Sequence, residues 1–511
     1  METISGLLER NARAYPDREA FIYGERRLSH RQFFEQACRL ASGLNKLGMQ
    51  RHDRFAILGM NCLEYFALDA AAAVGGYLAV QVNFRLAAPE IAYILTDAAP
   101  RVLVFEAQYT EIVAGLRARL PGVERYVCIG PAPDWAVSYE EVYASGDLAG
   151  PPWRGEAADY LYLYYTSGTT GKPKGVPWTQ RRVATVAAAS ALASEFSGDT
   201  RVLQVTPAFH IGGKGYPLGA AWMGGTTVLH RAFDPAGMLE TIERERITFT
   251  FMVAAMLQAV LDVPNVETYD LSSLRNISSA SAPIPVPLLK RGIEVLGPVF
   301  SVQYGMTEVG TIAVLPKHEV RPDGTPEQVR RLSSVGHVVT DIDFRVVDDQ
   351  GRDCPVGVPG EVVIRSATQL EDYWNNSIAT MEAIRDGWFH TGDIGMLDEE
   401  LYLFLVDRKK DMIISGGENV YSREVEEALA AHPDVVETSV IGVPDSKWGE
   451  SVKAVVVLRA GSSLDEATLI AHCKSLIASY KCPKSIEFVA ELPRIATGKI
   501  NKVALRERYR A

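Results

Sequence analysis

The sequence predicts a mixed α/β protein, with a large N-terminal body of mostly parallel sheets covered by helices and a smaller α+β cap at its C-terminal end. Three observations support this fold class. A chain of 511 residues is too long for one hydrophobic core. Strand-like and helix-like segments alternate over residues 1–400, which is typical of parallel sheets covered by helices. A shorter α+β pattern begins near Lys409.

The individual elements follow from hydrophobic periodicity. Apolar residues at helical spacing predict helices in the body at 31–47, 61–74 and 182–196. Short apolar runs predict strands at 54–60, 101–105, 161–164, 202–205, 226–229, 248–253 and 299–303. Past Gly351 the chain is richer in Pro and Gly, and shorter strands are expected there. The same patterns predict, in the cap, strands at 412–414, 435–443 and 451–458 and helices at 422–430 and 464–479.

Composition excludes several classes of protein. With 63 acidic and 52 basic residues the formal net charge is −11, which argues against nucleic acid as the main partner. The six cysteines are scattered without metal-ligand spacing, so idle thiols are favoured over a metal site or disulfides. The N-terminus lacks the pattern of a secretory signal, and the longest apolar stretch, 70–80, is far short of the about 20 residues that span a bilayer. We therefore expect a cytoplasmic enzyme without a transmembrane segment.

The segment Tyr165–Gly175 is rich in glycine, hydroxyl side chains and lysine, and it directly follows a predicted buried strand. Glycines allow successive backbone N–H groups to turn around an anion, and the lysines add positive charge, so the segment suits a polyphosphate. Its spacing is not that of a P-loop, and Pro173 prevents a helix from starting at Lys172. A polar surface hairpin is the alternative.

This run resembles the phosphate loop of the adenylate-forming superfamily, which includes acyl-CoA synthetases, free-standing adenylation domains and luciferases. The resemblance extends in order along the chain, to a lysine at 499, and implies an acyl-CoA synthetase-like fold that uses ATP, Mg²⁺ and coenzyme A. It implies that the nucleotide phosphates are held by Thr166, Ser167, Gly168, Thr169, Thr170, Gly171 and Lys172.

The end of the predicted strand 299–303 carries a second part of this resemblance. Ligands of α/β sheets bind beyond the carboxyl ends of strands, where Gln303, Tyr304, Gly305, Met306, Thr307 and Glu308 stand. By resemblance, Glu308 and Thr166 are the Mg²⁺ site and act in catalysis, Tyr304 stacks on adenine and Thr307 contacts the α-phosphate. The same resemblance adds to the nucleotide site the residues Ser281, Ala282 and Pro283. Taken alone, this segment would be an ordinary strand-end turn.

Three further resemblances concern the ribose, the hinge and catalysis. Asp393 and Arg408 are expected to bind the ribose hydroxyls. Asp407 is expected to be the hinge, which divides the chain into a large domain 1–406 and a mobile cap 407–511. Lys499 is the expected catalytic lysine, which would stabilise charge during adenylation. The alternatives are a solvated charged face around the hinge and a plain surface lysine.

The thiol and acid sites are also assigned by resemblance. Gly416, Gly417 and Glu418 are expected to line the passage for the CoA arm, with Trp448 as a further contact; a plain turn is the alternative. His210 is expected to gate the approach of carboxylate and thiol, although a neutral core histidine is also compatible. The acid pocket is expected to be lined by Ile211, Gly212, Phe251, Val253 and Met306. No arginine is evident there, which favours an apolar acid over a small dicarboxylate.

Together these residues predict an acid–CoA ligase: a small-molecule carboxylic acid (medium- or long-chain fatty, aryl or alicyclic) becomes an acyl-AMP with release of pyrophosphate, and its acyl group then passes to CoA. A free-standing enzyme that loads a carrier protein is the second hypothesis, and a non-catalytic nucleotide-binding protein the third. A homodimer is one candidate for the assembly.

Overall fold

The computed structural model describes residues 1–166, 172–280, 284–339, 341–415, 418–445, 448–494 and 499–509. The chain divides into two compact units. The first consists of Met1–Asp343 with Arg365–Phe389, and the second of Phe344–Ile364 with His390–Ala511. No helix in the described ranges is long and apolar enough to cross a membrane.

The helices, in chain order, are α1 (Ile4–Ala14), α2 (His30–Lys46), α3 (Leu63–Gly75), α4 (Ala88–Ala98), α5 (Thr110–Leu116), α6 (Tyr139–Ser145), α7 (Gln180–Ala193), α8 (Gly215–Met223), α9 (Pro235–Glu245), α10 (Ala254–Leu261), α11 (Val286–Leu296), α12 (Pro326–Arg331), α13 (Ser377–Ala383), α14 (Ser422–Ala430), α15 (Glu466–Leu476) and α16 (Lys502–Arg508). Their ends follow local chemistry. For example, Ser29 and Gln32 form a capping box at the start of α2, and Gly76 ends α3 in the left-handed conformation.

The strands, in chain order, are β1 (Glu19–Tyr23), β2 (Arg26–Ser29), β3 (Arg54–Leu58), β4 (Leu78–Val82), β5 (Val102–Glu106), β6 (Arg125–Ile129), β7 (Val137–Ser138), β8 (Tyr160–Thr166), β9 (Lys174–Thr179), β10 (Arg201–Gln204), β11 (Thr226–Leu229), β12 (Phe249–Phe251), β13 (Asn276–Ser279), β14 (Phe300–Met306), β15 (Gly310–Leu315), β16 (His337–Val338), β17 (Ile342–Val347), β18 (Gly360–Ser366), β19 (Ile384–Arg385), β20 (Trp388–Leu397), β21 (Leu403–Arg408), β22 (Ile413–Ser415), β23 (Glu418–Val420), β24 (Val435–Asp445), β25 (Gly449–Leu458) and β26 (Ser485–Phe488).

The first unit contains two large sheets. One has the strand order β7-β6-β5-β3-β4-β8-β9, in which all neighbours are parallel except the hairpin of β8 and β9. Its side chains pack with those of α4 and α5 into a buried core. The other sheet has the order β16-β15-β14-β13-β12-β10-β11-β1-β2, with β14, β13, β12, β10, β11 and β1 mutually parallel.

The second unit is smaller and mostly antiparallel. In one sheet β20 lies beside both β18 and β21, and β17 lies beside β18. The other sheet has the order β23-β22-β25-β24, with β26 added in parallel to β25. Helices α14 and α15 cover this sheet, and its core is built from Val, Leu and Ile side chains with Cys473 and Cys482.

The predicted fold class, a body of mostly parallel sheets with a smaller α+β C-terminal part, is confirmed. The expected interruption at Pro173 is also observed, since strand β9 follows it and no helix does. Residues 344–364 and 390–406 belong to the second unit, together with the C-terminal residues. The division into a large domain 1–406 and a cap 407–511, with a hinge at Asp407, stays a prediction.

Candidate active site

The predicted phosphate loop joins strands β8 and β9. These strands pair antiparallel with Thr166 opposite Lys174, and the Thr166 hydroxyl lies 3.5 Å from the Lys174 carbonyl oxygen. Both ends of the loop are therefore held at the tip of one hairpin. The predicted phosphate ligands between them, Ser167, Gly168, Thr169, Thr170 and Gly171, lie outside the described residues.

Two phenols fix this hairpin. The Tyr165 hydroxyl donates to Asp97 at 2.6 Å, and burial raises the pKa of Tyr165, so the phenol stays a proton donor. The Tyr93 hydroxyl donates to the Pro173 carbonyl oxygen at 3.2 Å. The Tyr93 ring also lies 5.5 Å from the Lys172 ammonium, a cation–π distance. Lys172, which is predicted to bind phosphate, therefore lies at the C-terminal end of the predicted phosphate loop.

The segment at Tyr373 and Trp374 packs directly against the hairpin. The Trp374 backbone N–H donates to the Gly175 carbonyl oxygen at 2.8 Å. A Cβ on Gly175 would stand 2.8 Å from the Cβ of Trp374, so this close approach requires glycine. The Lys174 ammonium lies 4.9 Å from the centroid of the Tyr373 ring.

Tyr373 brings Glu308 into the same site. Its hydroxyl donates to Glu308 Oε1 at 3.0 Å, and burial together with the Glu308 charge raises the pKa of Tyr373. Tyr373 therefore contacts both the Glu308 carboxylate and Lys174 of the β8–β9 hairpin, which is called the phosphate hairpin below. The structure thus brings together the two strongest sequence motifs, which lie more than a hundred positions apart in the chain.

The residues around Glu308 can be compared with the ligands that Mg²⁺ prefers. The ion prefers oxygen ligands and is commonly bound through one or two carboxylates plus substrate phosphates. Within the described ranges no group of three or more His, Cys, Asp or Glu side chains could hold a metal. The single carboxylate of Glu308 beside the hairpin that carries Thr166 fits an ion shared with nucleotide phosphates, and such a site needs no all-protein cage.

The end of β14 places the other predicted nucleotide residues at a common sheet edge. Gln303 and Tyr304 are buried, Gly305 is exposed, and Met306 and Thr307 are partly exposed. Gln303 accepts a hydrogen bond from the Tyr216 hydroxyl at 3.3 Å. Because β10, β12, β13 and β14 are parallel neighbours, the segments that follow them open at one edge. Ser281, Ala282 and Pro283, which follow β13, lie outside the described residues.

The predicted acid-site residues lie along this same edge. His210 follows β10 and is exposed, so the alternative of a core histidine is wrong. Its Nδ1 accepts a hydrogen bond from the Gly212 N–H at 3.1 Å, which leaves the proton of a neutral ring on Nε2. Ile211 and Gly212 form the turn that leads into α8. Phe251 packs against Tyr216 of α8 with ring centroids 5.9 Å apart, and Val253 follows it.

A buried ion pair next to this turn was not predicted. Lys214 and Asp69 are 2% and 4% exposed, and their charged atoms are in direct contact. The second Asp69 oxygen accepts from Gln81 at 3.0 Å, and Gln81 accepts from Tyr65 at 2.6 Å. The sequence did carry a signal, because Asp69 is a charged residue in the middle of the apolar helix α3, past the first turn that holds Glu64.

In the second unit, the register of two strands assembles the predicted ribose site. Asp393 of β20 stands opposite Arg408 of β21, and their side chains are 3.1 Å apart (Nε to Oδ1). Asp393 is buried and Arg408 exposed. The Asp393 backbone N–H donates to Thr391 Oγ1 at 3.1 Å, which helps to hold this end of β20.

The predicted hinge residue is bound to the helix that follows it. Both oxygens of the buried Asp407 carboxylate contact Ser422, one at the backbone N–H and the other at the hydroxyl, and so occupy the N-terminus of α14. Burial raises the pKa of Asp407, and Lys502 opposes that shift. The Lys502 ammonium in turn contacts the Ser422 hydroxyl at 2.6 Å.

The remaining predicted residues also belong to the second unit. Glu418 and Trp448 are exposed, each next to undescribed positions, which include Gly416 and Gly417. Lys499 is exposed and adjoins Ile500, which bridges to Arg494 across the undescribed residues 495–498.

Comparison with known proteins decides the family. The model of the AMP-binding enzyme matches residues 8–374, and that of the AMP-binding enzyme C-terminal domain matches residues 424–499. The chain belongs to the AMP-binding enzyme family. This AMP-binding enzyme is 38% identical over 510 residues to an indoleacetate–CoA ligase of Aromatoleum aromaticum, covering 99% of this chain and 98% of that protein.

A second relative is a fatty acid–[acyl-carrier-protein] ligase of Streptomyces coeruleorubidus, 34% identical over 518 residues that cover 100% of this chain and 97% of that protein. Among solved structures, ATP-bound MatB from Rhodopseudomonas palustris superposes on 99% of each chain with a TM-score of 0.89 and 28% identity. The predicted superfamily, its acyl-CoA synthetase branch and the class of AMP-forming acid–thiol ligases are confirmed for this AMP-binding enzyme.

Proposed function

We propose that this enzyme activates an apolar carboxylic acid (fatty, aryl or alicyclic) with ATP and transfers the acyl group to CoA. The observation that carries the proposal is the contact of the phosphate hairpin with Glu308 through Tyr373. A polyphosphate site beside a carboxylate suited to Mg²⁺ is what an attack on the α-phosphate requires, because both reactants are anions.

In the first half-reaction, a carboxylate oxygen of the acid attacks the α-phosphorus, and the bond to the β-phosphate oxygen breaks to release pyrophosphate. The loop that begins at Thr166 and ends near Lys172 would hold the leaving phosphates. Mg²⁺ bound at Glu308 would supply charge neutralisation on the nucleotide. Lys499, from the cap, would place an ammonium at the α-phosphate, while Asp393 and Arg408 hold the ribose.

In the second half-reaction, the CoA thiol releases its proton to solvent and the thiolate attacks the acyl carbon; the acyl carbon–oxygen bond breaks and AMP leaves with its electron pair. We propose that the cap turns about Asp407 between the two steps, so that Lys499 leaves and the face with Glu418 and Trp448 enters. His210 would stand where carboxylate and thiol approach. The residue is exposed, and in this role its Nε2–H would donate to the acyl oxygen.

The acid site favours an apolar substrate. Phe251, Val253 and Ile211 offer apolar surface, and the ligases of indoleacetate and of fatty acids named above act on acids of this kind. We therefore include fatty acid metabolism as one proposed setting. We also propose a cytoplasmic location, which suits six free thiols, and a homodimer as the assembly to test by light scattering.

An assay of pyrophosphate release across a panel of aryl, alicyclic and fatty acids, with free CoA or with a holo-carrier protein, tests this function. The proposal expects acid-dependent pyrophosphate and an acyl-CoA product. The similarity to a carrier-protein ligase keeps the second candidate open, and turnover with holo-carrier but not with CoA would favour it. ATP binding without pyrophosphate release for any acid would favour a non-catalytic protein.

A further inference from the structure

Arg182 occupies an unusual place in the first unit. Its side chain is buried, with the residue 5% exposed. The guanidinium donates to the Pro177 carbonyl oxygen at 2.6 Å, to the Thr368 carbonyl oxygen at 2.8 and 3.1 Å, and to the Glu308 carbonyl oxygen at 3.0 Å. Burying a cation is costly unless its donors are satisfied, and here the described donors meet main-chain oxygens from three separate segments.

Trp178 reinforces the same contact. It lies in β9, four positions before Arg182 in the chain, and the guanidinium carbon lies 4.1 Å from its ring centroid. The Trp178 indole N–H donates to the Thr307 carbonyl oxygen at 2.9 Å. Two neighbouring side chains from the end of β9 and the start of α7 therefore hold two consecutive carbonyls, those of Thr307 and Glu308.

Glu308 is also held by the segment that follows β18. The Leu370 backbone N–H donates to the Glu308 carbonyl oxygen at 2.7 Å. Tyr373 donates to the Glu308 carboxylate, and Thr368, at the start of the segment, accepts from Arg182. Arg182 thus joins strand β9 of the hairpin, the end of β14 and this segment at Glu308, the residue predicted to bind the metal.

We propose that Arg182, acting with Trp178, is a positioning residue that orients Glu308 for binding the metal of the metal–ATP complex. The proposal rests on the function proposed above. Partners that orient a metal ligand typically change metal affinity or activity by roughly 10- to 100-fold when they are removed. Arg182 acts on the main chain of Glu308, so its loss would let the carboxylate rotate away without altering its charge.

The experiment compares binding of Mn²⁺–ATP and of metal-free ATP, each titrated by calorimetry in the absence of acid. Arg182→Met keeps an apolar stem against Trp178 and removes the donors, while Arg182→Lys restores the charge but not the planar fork. Arg54→Met is the matched control, because Arg54 also donates to two main-chain carbonyls, those of Ala98 and Ala99, at 3.2 and 2.8 Å.

The proposal expects Arg182→Met to weaken Mn²⁺–ATP binding by roughly 10-fold or more, with a much smaller effect on metal-free ATP. Arg182→Lys should recover only part of the loss, and the control should bind like the wild type. An equal loss of affinity for Mn²⁺–ATP and for metal-free ATP, or no loss, would overturn the proposal. A residue that only stabilises the fold would affect the binding of both ligands alike.

If Arg182→Met does not fold, Trp178→Phe decides, because it removes the donor to Thr307 and keeps a smaller aromatic ring at this position. A selective loss of Mn²⁺–ATP affinity supports the proposal, and unchanged selectivity overturns it. Failure of the ligase function is a separate result: wild-type protein that binds Mn²⁺–ATP but releases no pyrophosphate with any acid refutes the function and leaves the binding comparison intact.

Discussion

Replacing Lys214 by methionine is expected to destabilise the first unit strongly. The ammonium and the Asp69 carboxylate are both almost fully buried and in direct contact. The aromatic rings of Tyr65 and Tyr162 lie 4.7 and 4.8 Å from the ammonium, so they surround the pair with apolar surface. In Lys214→Met the carboxylate stays buried and keeps only the amide of Gln81 as a partner among these groups.

Removing one partner of a buried ion pair typically costs about 3–5 kcal/mol, whereas replacing both by apolar groups is often neutral or stabilising. We therefore expect Lys214→Met to lower the melting temperature of the first unit by roughly 6–10 °C, at about 2 °C per kcal/mol for a large domain. The double variant Lys214→Met with Asp69→Leu should recover most of this loss. Because the turn that carries His210 leads directly to Lys214, the single variant should also lose activity at temperatures where it is folded.

The two single variants should respond to pH in opposite directions. Burial raises the pKa of Asp69 and lowers that of Lys214. In Lys214→Met the folded state binds more protons than the unfolded state between about pH 4 and the raised pKa of Asp69, so stability falls as pH rises through that window. In Asp69→Asn the unfolded state binds more protons between the lowered pKa of Lys214 and about pH 10, so stability increases with pH there.

Differential scanning calorimetry of the wild type, both single variants and the double variant across this pH range measures the effect. Single variants that melt like the wild type would refute the reasoning, as would a double variant less stable than either single one. Parallel pH trends in Lys214→Met and Asp69→Asn would show that the charges are not the cause.

Three further predictions concern the nucleotide and the cap. Lys499→Ala should abolish acyl-AMP formation but spare thioester formation from supplied acyl-AMP; equal loss in both single-step assays would contradict the two-state cap. Asp393→Ala should raise the KM for ATP by roughly 10-fold or more, because a hydrogen-bonded charged group contributes about 1.5–3 kcal/mol; an unchanged KM would remove it from the ribose site. Tyr165→Phe, which deletes the 2.6 Å bond to the Asp97 carboxylate, should reduce stability by about 1.5–3 kcal/mol in chemical denaturation, with a larger effect on ATP binding than on acid binding.

Local patterns were sufficient to predict most elements near the site. The helix predicted at 422–430 is α14, and the strand predicted at 226–229 is β11, with identical limits. Other elements shifted by a few residues at their ends: the helix predicted at 464–479 is Glu466–Leu476. Helix ends depend on caps and on tertiary contacts, which periodicity alone does not contain.

The polar groups that hold the site together could not be predicted in the same way. Tyr373 meets Glu308 across 65 positions, Arg182 meets it across 126, and Lys214 meets Asp69 across 145. Each residue alone is compatible with a surface position, because tyrosine, arginine and lysine are common there. Only the tertiary fold makes them partners, as the bridge between Gly175 of β9 and Trp374 shows for the segment that carries Tyr373.

The most direct test of the account follows the oxygen atoms of the acid. A carboxylic acid labelled with ¹⁸O in both oxygens is incubated with the enzyme, ATP, Mg²⁺ and CoA, and the products are analysed by mass spectrometry. Attack of the carboxylate on the α-phosphorus predicts one labelled oxygen in each AMP and none in pyrophosphate. Unlabelled AMP, or label in ADP, phosphate or pyrophosphate, would contradict an acyl-adenylate route.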